Sequence, residues 1–125
     1  MIKVAIIDDE VHIRSLLEQT LEELEEDFEF EIMTAPNGGE GLALVQRERP
    51  RLVFLDVMMP IMNGYDVCTA IRADSTLNDT QVVMLTAKGQ ESDRQRGMEV
   101  GVNHFVTKPF DPDEILHIAT TVLQG

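Results

Sequence analysis

A chain of 125 residues with 23 acidic and 10 basic side chains carries a formal net charge of -13 at pH 7. Such a chain is not expected to bind nucleic acid, because that binding draws on Lys and Arg to neutralise phosphates. The length corresponds to one domain, residues 1–125, with no apolar run near the roughly 20 residues that span a bilayer and no signal-peptide pattern, so we expect a cytoplasmic protein without membrane contact.

The first two predicted elements are a strand and a helix that meet at an acidic turn. The run KVAII at residues 3–7, apolar after its first residue, predicts the strand, and residues 8–10 are Asp-Asp-Glu. Apolar residues then recur at helical spacing from Val11 to Phe28, which predicts a helix. The glutamates between them are most simply a solvated face, and an acidic docking surface is the alternative.

The second strand and helix are predicted from a strand-like pattern and a capping signal. Residues 30–35 have the strand pattern, and Asn37 with Glu40 matches a helix N-cap and its partner three residues on. The glycines of this stretch match neither the dinucleotide-binding motif nor the phosphate-binding loop. Turn chemistry therefore explains them better than nucleotide binding.

The third strand is the one around which the chain is arranged. Its apolar run, residues 52–55, predicts a strand buried on both faces, and it ends in Asp56. Open α/β sheets bind ligands outside the carboxyl ends of their strands, although a lone Asp there can also simply cap a turn. Asn63 and Asp66 predict the cap of the next helix, in which Cys68 is interpreted as a small core residue.

The last third of the chain is predicted to hold two strands and two helices. Lys108 has to reach back to the sheet edge while the chain turns into the last helix. The Lys108-Pro109 peptide is therefore predicted to be cis, because only X-Pro bonds adopt cis at a cost as low as about 0.5–1 kcal/mol. In order, these elements are a strand at 81–85 ending in Thr86, a helix at 91–100, a strand at 103–107 ending in Lys108, and a last helix capped by Asp111 with Pro112 at its first position.

Five strands alternating with five helices predict an α/β fold with a doubly wound parallel sheet. If the strand order is 2-1-3-4-5, as in flavodoxin-like folds, all carboxyl ends share one edge. That edge would present Asp8 and Asp9 beside Asp56, with Thr86 on the next strand and Lys108 beyond it.

This set of side chains is suited to phosphoryl chemistry. Clustered carboxylates repel one another and require a compensating cation, and all-oxygen ligands suit Mg²⁺. Lys108 adds a fixed positive charge and Thr86 a hydroxyl donor, which together provide the positioning and charge neutralisation that phosphoryl transfer needs. Asp56, the only acid of the central strand, is the candidate nucleophile, and attack by a carboxylate gives an aspartyl phosphate.

Four motifs carry a family resemblance over nearly the whole chain. They are IIDDE at 6–10, FLDVMMPIMNG at 54–64, MLTA at 84–87 and FVTKPF at 105–110. Together they resemble the receiver domain of two-component response regulators, the CheY-like family. The resemblance implies that Asp56 accepts a phosphoryl group from a phosphohistidine on a sensor histidine kinase or phosphotransfer protein, and that the chain is not an enzyme for outside substrates.

The resemblance also implies the metal ligands. Mg²⁺ would be bound by Asp9, by Asp56 and by the backbone carbonyl of Met58. Asp8 would hold a metal-bound water. Met58 and Lys88 occupy positions that tune the dephosphorylation rate in the family.

A switch is implied as well. Thr86 and Lys108 would contact the phosphoryl oxygens, and Phe105 falls at the switch aromatic that turns inward when Thr86 moves. The fourth helix, the fifth strand and the last helix would then form a surface for a homodimer or an output partner.

A small Mg²⁺-dependent phosphohydrolase with Asp56 as nucleophile is the alternative. Phosphatases of the haloacid-dehalogenase type carry a second Asp two residues after the nucleophile, and Met58 stands there in this chain. The third possibility is an acidic sheet edge without chemical function. In that case the presence of Thr86 and Lys108 at the same edge would be a coincidence.

Overall fold

The computed structural model describes residues 1–87 and 91–125, so Lys88 lies outside the described residues. One parallel sheet has the predicted strand order β2-β1-β3-β4-β5. Its strands are β1 (Ile2–Ile7), β2 (Phe30–Ala35), β3 (Leu52–Asp56), β4 (Gln81–Ala87) and β5 (His104–Lys108). The helices are α1 (Val11–Glu22), α2 (Gly38–Glu48), α3 (Gly64–Ala73), α4 (Glu91–Val100) and α5 (Pro112–Gln124), with a short 3-10 helix at Ser75–Leu77 that the sequence did not predict.

Helices cover both faces of the sheet, because the central strands are apolar on both. All five residues of β3 are buried, as expected for a strand in the middle of a parallel sheet. One core, on the face that we call the α1/α5 face, joins side chains such as Ile6, Phe54 and Ile115. The other core, on the α3/α4 face, includes Met84 and Cys68 with residues of α2 and α3.

The predicted helix caps are present. Asn37 accepts a hydrogen bond from the backbone N–H of Glu40 at 2.9 Å. Asn63 and Asp66 form a reciprocal capping box at 3.0 and 3.2 Å. Asp111 accepts from the N–H of Asp113 at 2.9 Å, with Pro112 at the start of α5. Each cap satisfies a donor that the first helical turn leaves unpaired.

The first helix is shorter than predicted. The periodicity pointed to a helix up to Phe28, but α1 ends at Glu22 and a series of turns follows. The backbone tightens there, since the N–H groups of Leu24 and Glu25 donate to carbonyls only three residues back, at 3.0 and 3.1 Å. Consecutive acids without a basic partner in the last turn disfavour further helix. Leu24 and Phe28 still pack against the α1/α5 core, which explains their spacing.

Two further sequence predictions are confirmed. The thiol of Cys68 is fully buried and donates to the carbonyl of Val100 at 3.4 Å, and burial raises the pKa of that thiol. The Lys108-Pro109 peptide is cis. None of the helices in the described part of the chain combines the length and the apolar character needed to cross a membrane.

Candidate functional site

Asp8 and Asp56 end two neighbouring strands at the same height. The β1–β3 register pairs Ile7 with Leu55, so the residues that follow them, Asp8 just after β1 and Asp56 at the end of β3, lie side by side. Successive side chains of a strand point to opposite faces of the sheet, so residues two apart share a face. Asp8 is therefore on the face of Ile6 and Asp56 on the face of Phe54, which is the α1/α5 face in both cases. Asp8 has no exposed surface and Asp56 is 4% exposed, so two carboxylates are buried side by side.

Lys108 connects the two carboxylates. Its ammonium nitrogen lies 2.8 Å from Asp8 Oδ2 and 3.1 Å from Asp56 Oδ1, with Glu10 Oε1 further away at 3.7 Å. Lys108 ends β5, two strands away from β3, and its long side chain crosses that distance. A single cation is thus shared by two buried acids, which leaves one negative charge uncompensated by this group.

Backbone amides fix one oxygen of each aspartate. Asp8 Oδ1 accepts from the N–H of Glu10 at 2.9 Å, and Asp56 Oδ1 accepts from the N–H of Met58 at 3.3 Å. Both are the turns between residue i and i+2 that Asp favours after a strand. The chain passes close to this turn at Gly64, where a Cβ would lie 3.0 Å from Val57 Cα and would collide with the carbonyl oxygen of Asp56.

The surroundings of Asp56 disfavour its charged form. Burial and the neighbouring Asp8 carboxylate raise the pKa of Asp56 to about 7, against the opposing effects of the Lys108 ammonium and the Met58 amide. For Lys108, burial works against the charge, but the contacts with Asp8 and Asp56 outweigh it, so its pKa is raised. The site therefore favours the charged form of Lys108 and disfavours the charged form of Asp56.

The acidic residues at this edge fit a hard divalent cation. Asp8 Oδ2 is buried and faces Lys108, but it accepts no hydrogen bond from the described residues. Carboxylate oxygens of Asp8, Asp9 and Glu10 all lie within 4.8 Å of one another. A buried carboxylate oxygen that contacts only the Lys108 ammonium among the described residues, next to the exposed carboxylates of residues 9 and 10, offers the all-oxygen donor set that Mg²⁺ prefers.

The structure adds two residues that the sequence analysis did not assign. Glu10 belongs to the acidic cluster, and the third acid of the IIDDE motif was the available signal. Arg14 donates from Nη1 to the backbone carbonyl of Asp8 at 2.6 Å, which holds the end of β1. No sequence signal marked Arg14, because the contact depends on how α1 starts.

Only some of the predicted site residues are brought into contact. Lys108 contacts both Asp8 and Asp56, whereas no hydrogen bond among the described residues joins Thr86 to these three. Thr86 is 4% exposed and follows Met84 by two residues, so it lies on the α3/α4 face.

Phe105 is half-buried on that same face. The β4–β5 register pairs it with Met84 and pairs Thr86 with Thr107. The predicted acceptor and the predicted switch thus lie on opposite faces of the sheet, and Thr86 lies at the edge where the faces meet. The Met58 side chain is exposed, at 72%.

Comparisons with known proteins agree with this geometry. Residues 4–120 match the model of the response regulator receiver domain family. The chain is 43% identical over 113 residues to "Probable transcriptional regulator ycf27" of Cyanophora paradoxa, covering 90% of this chain and 44% of that protein. It is 37% identical over 113 residues to the alkaline phosphatase synthesis transcriptional regulatory protein PhoP of Bacillus subtilis, covering 90% of this chain and 45% of PhoP.

Solved structures show the same fold. The chemotaxis protein CheY4 of Vibrio cholerae superposes with a TM-score of 0.86 at 34% identity, covering 98% of this chain and 99% of CheY4. CheY4 therefore matches this chain along nearly its whole length, whereas this chain spans less than half the length of the two transcriptional regulators named above.

Proposed function

Because the chain belongs to the response regulator receiver domains of two-component signal transduction, we propose that Asp56 is its phosphoryl acceptor and that a histidine kinase or phosphotransfer protein is the donor. The observation that carries the proposal is the Lys108 ammonium bound to both Asp8 and Asp56. The proposal takes residues 1–125 as one receiver domain in the cytoplasm, and that location stays a prediction.

The two oxygens of Asp56 have different roles in this proposal. Oδ1 is occupied by the Met58 amide and the Lys108 ammonium. Oδ2 has no hydrogen bond or ion pair among the described residues, so it is the oxygen free to attack phosphorus. A bond forms between Oδ2 and phosphorus as the bond between phosphorus and the donor imidazole nitrogen breaks, and the departing nitrogen keeps the electron pair.

Charge neutralisation is the main task of the surrounding residues. The Lys108 ammonium lies 3.1 Å from Asp56 Oδ1, close enough to contact an oxygen of a phosphoryl group attached to Asp56. Asp9, Asp56 and the Met58 carbonyl would hold Mg²⁺, and Asp8 would hold a metal-bound water. When bound, the ion would neutralise charge on the phosphoryl oxygens. Ionised carboxylates at these positions would also favour binding of the ion, which links acceptor activation to metal binding.

Output would follow from Thr86 and Phe105. A phosphoryl group on Asp56 offers the Thr86 hydroxyl an acceptor, and its movement toward the site would open space beside Met84 for the Phe105 ring. The surface formed by α4, β5 and α5 would change with it and would bind a second copy or an output partner. A phosphohydrolase acting on outside substrates is not favoured, because the family match and Met58 at the general-acid position both oppose it.

The acceptor can be tested by labelling. With acetyl phosphate and Mg²⁺, intact-mass analysis should show one added phosphoryl group on the wild type and none on Asp56→Asn. Asp27→Asn, which removes an exposed acid in the turn after α1, is the matched control and should label fully. Equal labelling of Asp56→Asn and the wild type would show that another residue is the acceptor.

A further inference from the structure

Gly97 is buried in α4 directly against the ring of Phe105. A Cβ added at residue 97 would lie 2.7 Å from Cζ of the ring, closer still to Cε1, and 3.5 Å from Met84 Sδ. Real Cβ atoms do not approach neighbours so closely, so any larger residue here displaces the ring or the helix. The Phe105 ring thus fills space that a side chain at position 97 would need.

The contact links α4 to the strand that carries Thr86. The guanidinium carbon of Arg94, one helical turn before Gly97, lies 5.4 Å from the centroid of the same ring, within the range of a cation–π interaction. Phe105 is paired with Met84, which lies two residues before Thr86 on the same face of β4. We call the surface formed by Gly97, Arg94 and Met84 the Gly97 notch.

We propose that Gly97 is a positioning residue for the Phe105 ring, and that the space left by its missing side chain is what lets the ring respond to phosphorylation of Asp56 while α4 stays in place. The inference rests on the proposed function and adds the residue that links it to the output surface. When the Thr86 hydroxyl turns toward a phosphoryl group, the ring can move further along β4. The absent side chain at residue 97 lets it do so without displacing α4.

The proposal predicts reciprocal effects on phosphoryl binding. Because two coupled sites change each other's affinity by the same factor, a residue that expels the ring should weaken binding of BeF₃⁻ and Mg²⁺, the non-covalent stand-in for the phosphoryl group. Gly97→Ala should lower BeF₃⁻ affinity roughly 5-fold or more, the lower end of typical couplings. The ring resonances of Phe105 should shift in the same variant.

Gly39→Ala is the matched control. It makes the same change in a helix, but the nearest atom to the new Cβ is Asn37 Oδ1 at 3.6 Å, an ordinary contact. Its BeF₃⁻ affinity should equal that of the wild type. An equal loss of affinity in Gly39→Ala and Gly97→Ala would overturn the proposal, because the effect would then be general to helix substitution.

A double variant tests the route through the ring. In a Phe105→Ala background, Gly97→Ala should cause no further loss of affinity, whereas the same loss in both backgrounds would exclude the ring as the route. If Gly97→Ala alone does not fold, the double variant should fold, and Phe105→Ala alone should show the weakened affinity; an unchanged affinity in Phe105→Ala would overturn the coupling.

Acetyl phosphate labelling of the wild type separates this inference from the proposed function. A wild type that takes up no phosphoryl group contradicts the proposed function. A labelled wild type with unchanged affinity in Gly97→Ala contradicts this inference alone.

Discussion

Asp56, the proposed acceptor, combines two opposing requirements. It would have to be ionised to act as a nucleophile, yet burial and the adjacent Asp8 raise the pKa of Asp56 to about 7. Lys108 reduces this effect but is shared between two acids. Ionisation of Asp56 therefore lowers the stability of the folded protein, and a bound cation would offset that loss of stability.

A pH titration of stability should reveal this effect. Because the pKa of Asp56 is raised from 3.8 to about 7 in the folded protein, its stabilising contribution is complete below pH 3.8 and is lost as the pH rises through about 7. Asp56→Asn lacks this titration. In EDTA, urea unfolding should show Asp56→Asn gaining stability relative to the wild type between about pH 4 and pH 7.

The size of that gain should also depend on metal. Added Mg²⁺ should reduce the difference at pH 8, because the ion favours the ionised carboxylate. Asp27→Asn controls for the loss of one charge in a chain of net charge -13. A constant difference between Asp56→Asn and the wild type across the whole pH range would contradict the raised pKa.

At the scale of elements, the sequence was most informative where one physical signal dominates. The apolar run ending in Asp56 located β3, and capping residues located the starts of α2, α3 and α5. The end of α1 was missed, because Leu24 and Phe28 keep helical spacing while packing from a turn. β4 continues two residues beyond the predicted end, to Ala87, so that Thr86 lies inside the strand.

Contacts between elements could not be predicted from the sequence. The ends of five strands could be assigned to one edge, which predicted the grouping of Asp8, Asp56 and Lys108. That Lys108 contacts both acids, and that Gly97 faces Phe105, depend on side-chain conformation and helix position. Neither has a local sequence signal, because each contact joins residues brought together only by packing.

The capping box of α3 should contribute measurably to stability. Asn63→Ala removes the acceptor for the Asp66 amide and half of the reciprocal pair, so the free energy of unfolding should fall by about 1 kcal/mol. Asn78→Ala, at an exposed position after the 3-10 helix, should change it by less than about 0.5 kcal/mol. Urea unfolding measures both, and equal losses would contradict the capping role of Asn63.

For the whole molecule, metal binding should be linked to folding. Folding fixes the carboxylates of residues 8–10 within 4.8 Å of one another and brings Asp8 beside Asp56, so an ion that binds there should prefer the folded state. At ten times its dissociation constant, Mg²⁺ should add about 1.4 kcal/mol to the free energy of unfolding. Differential scanning calorimetry should show a rising melting temperature with Mg²⁺ in the wild type.

Single acid-to-alanine variants locate the site of that effect. Asp9→Ala should lose most of the rise, whereas Glu26→Ala, which also removes one exposed acid, should keep it. The same rise in both variants would mean that Mg²⁺ acts through the overall charge and not through the cluster.

The sheet separates the proposed phosphoryl-acceptor site from the proposed switch residues. Asp8, Asp56 and Lys108 lie on the α1/α5 face, and Phe105 with Gly97 lies on the other. Mutations on the α3/α4 face that leave Thr86, Phe105 and Gly97 in place could therefore change which protein is recognised without altering the proposed acceptor site. After gene duplication, one copy could therefore acquire a new binding partner through substitutions on one face of this five-stranded sheet.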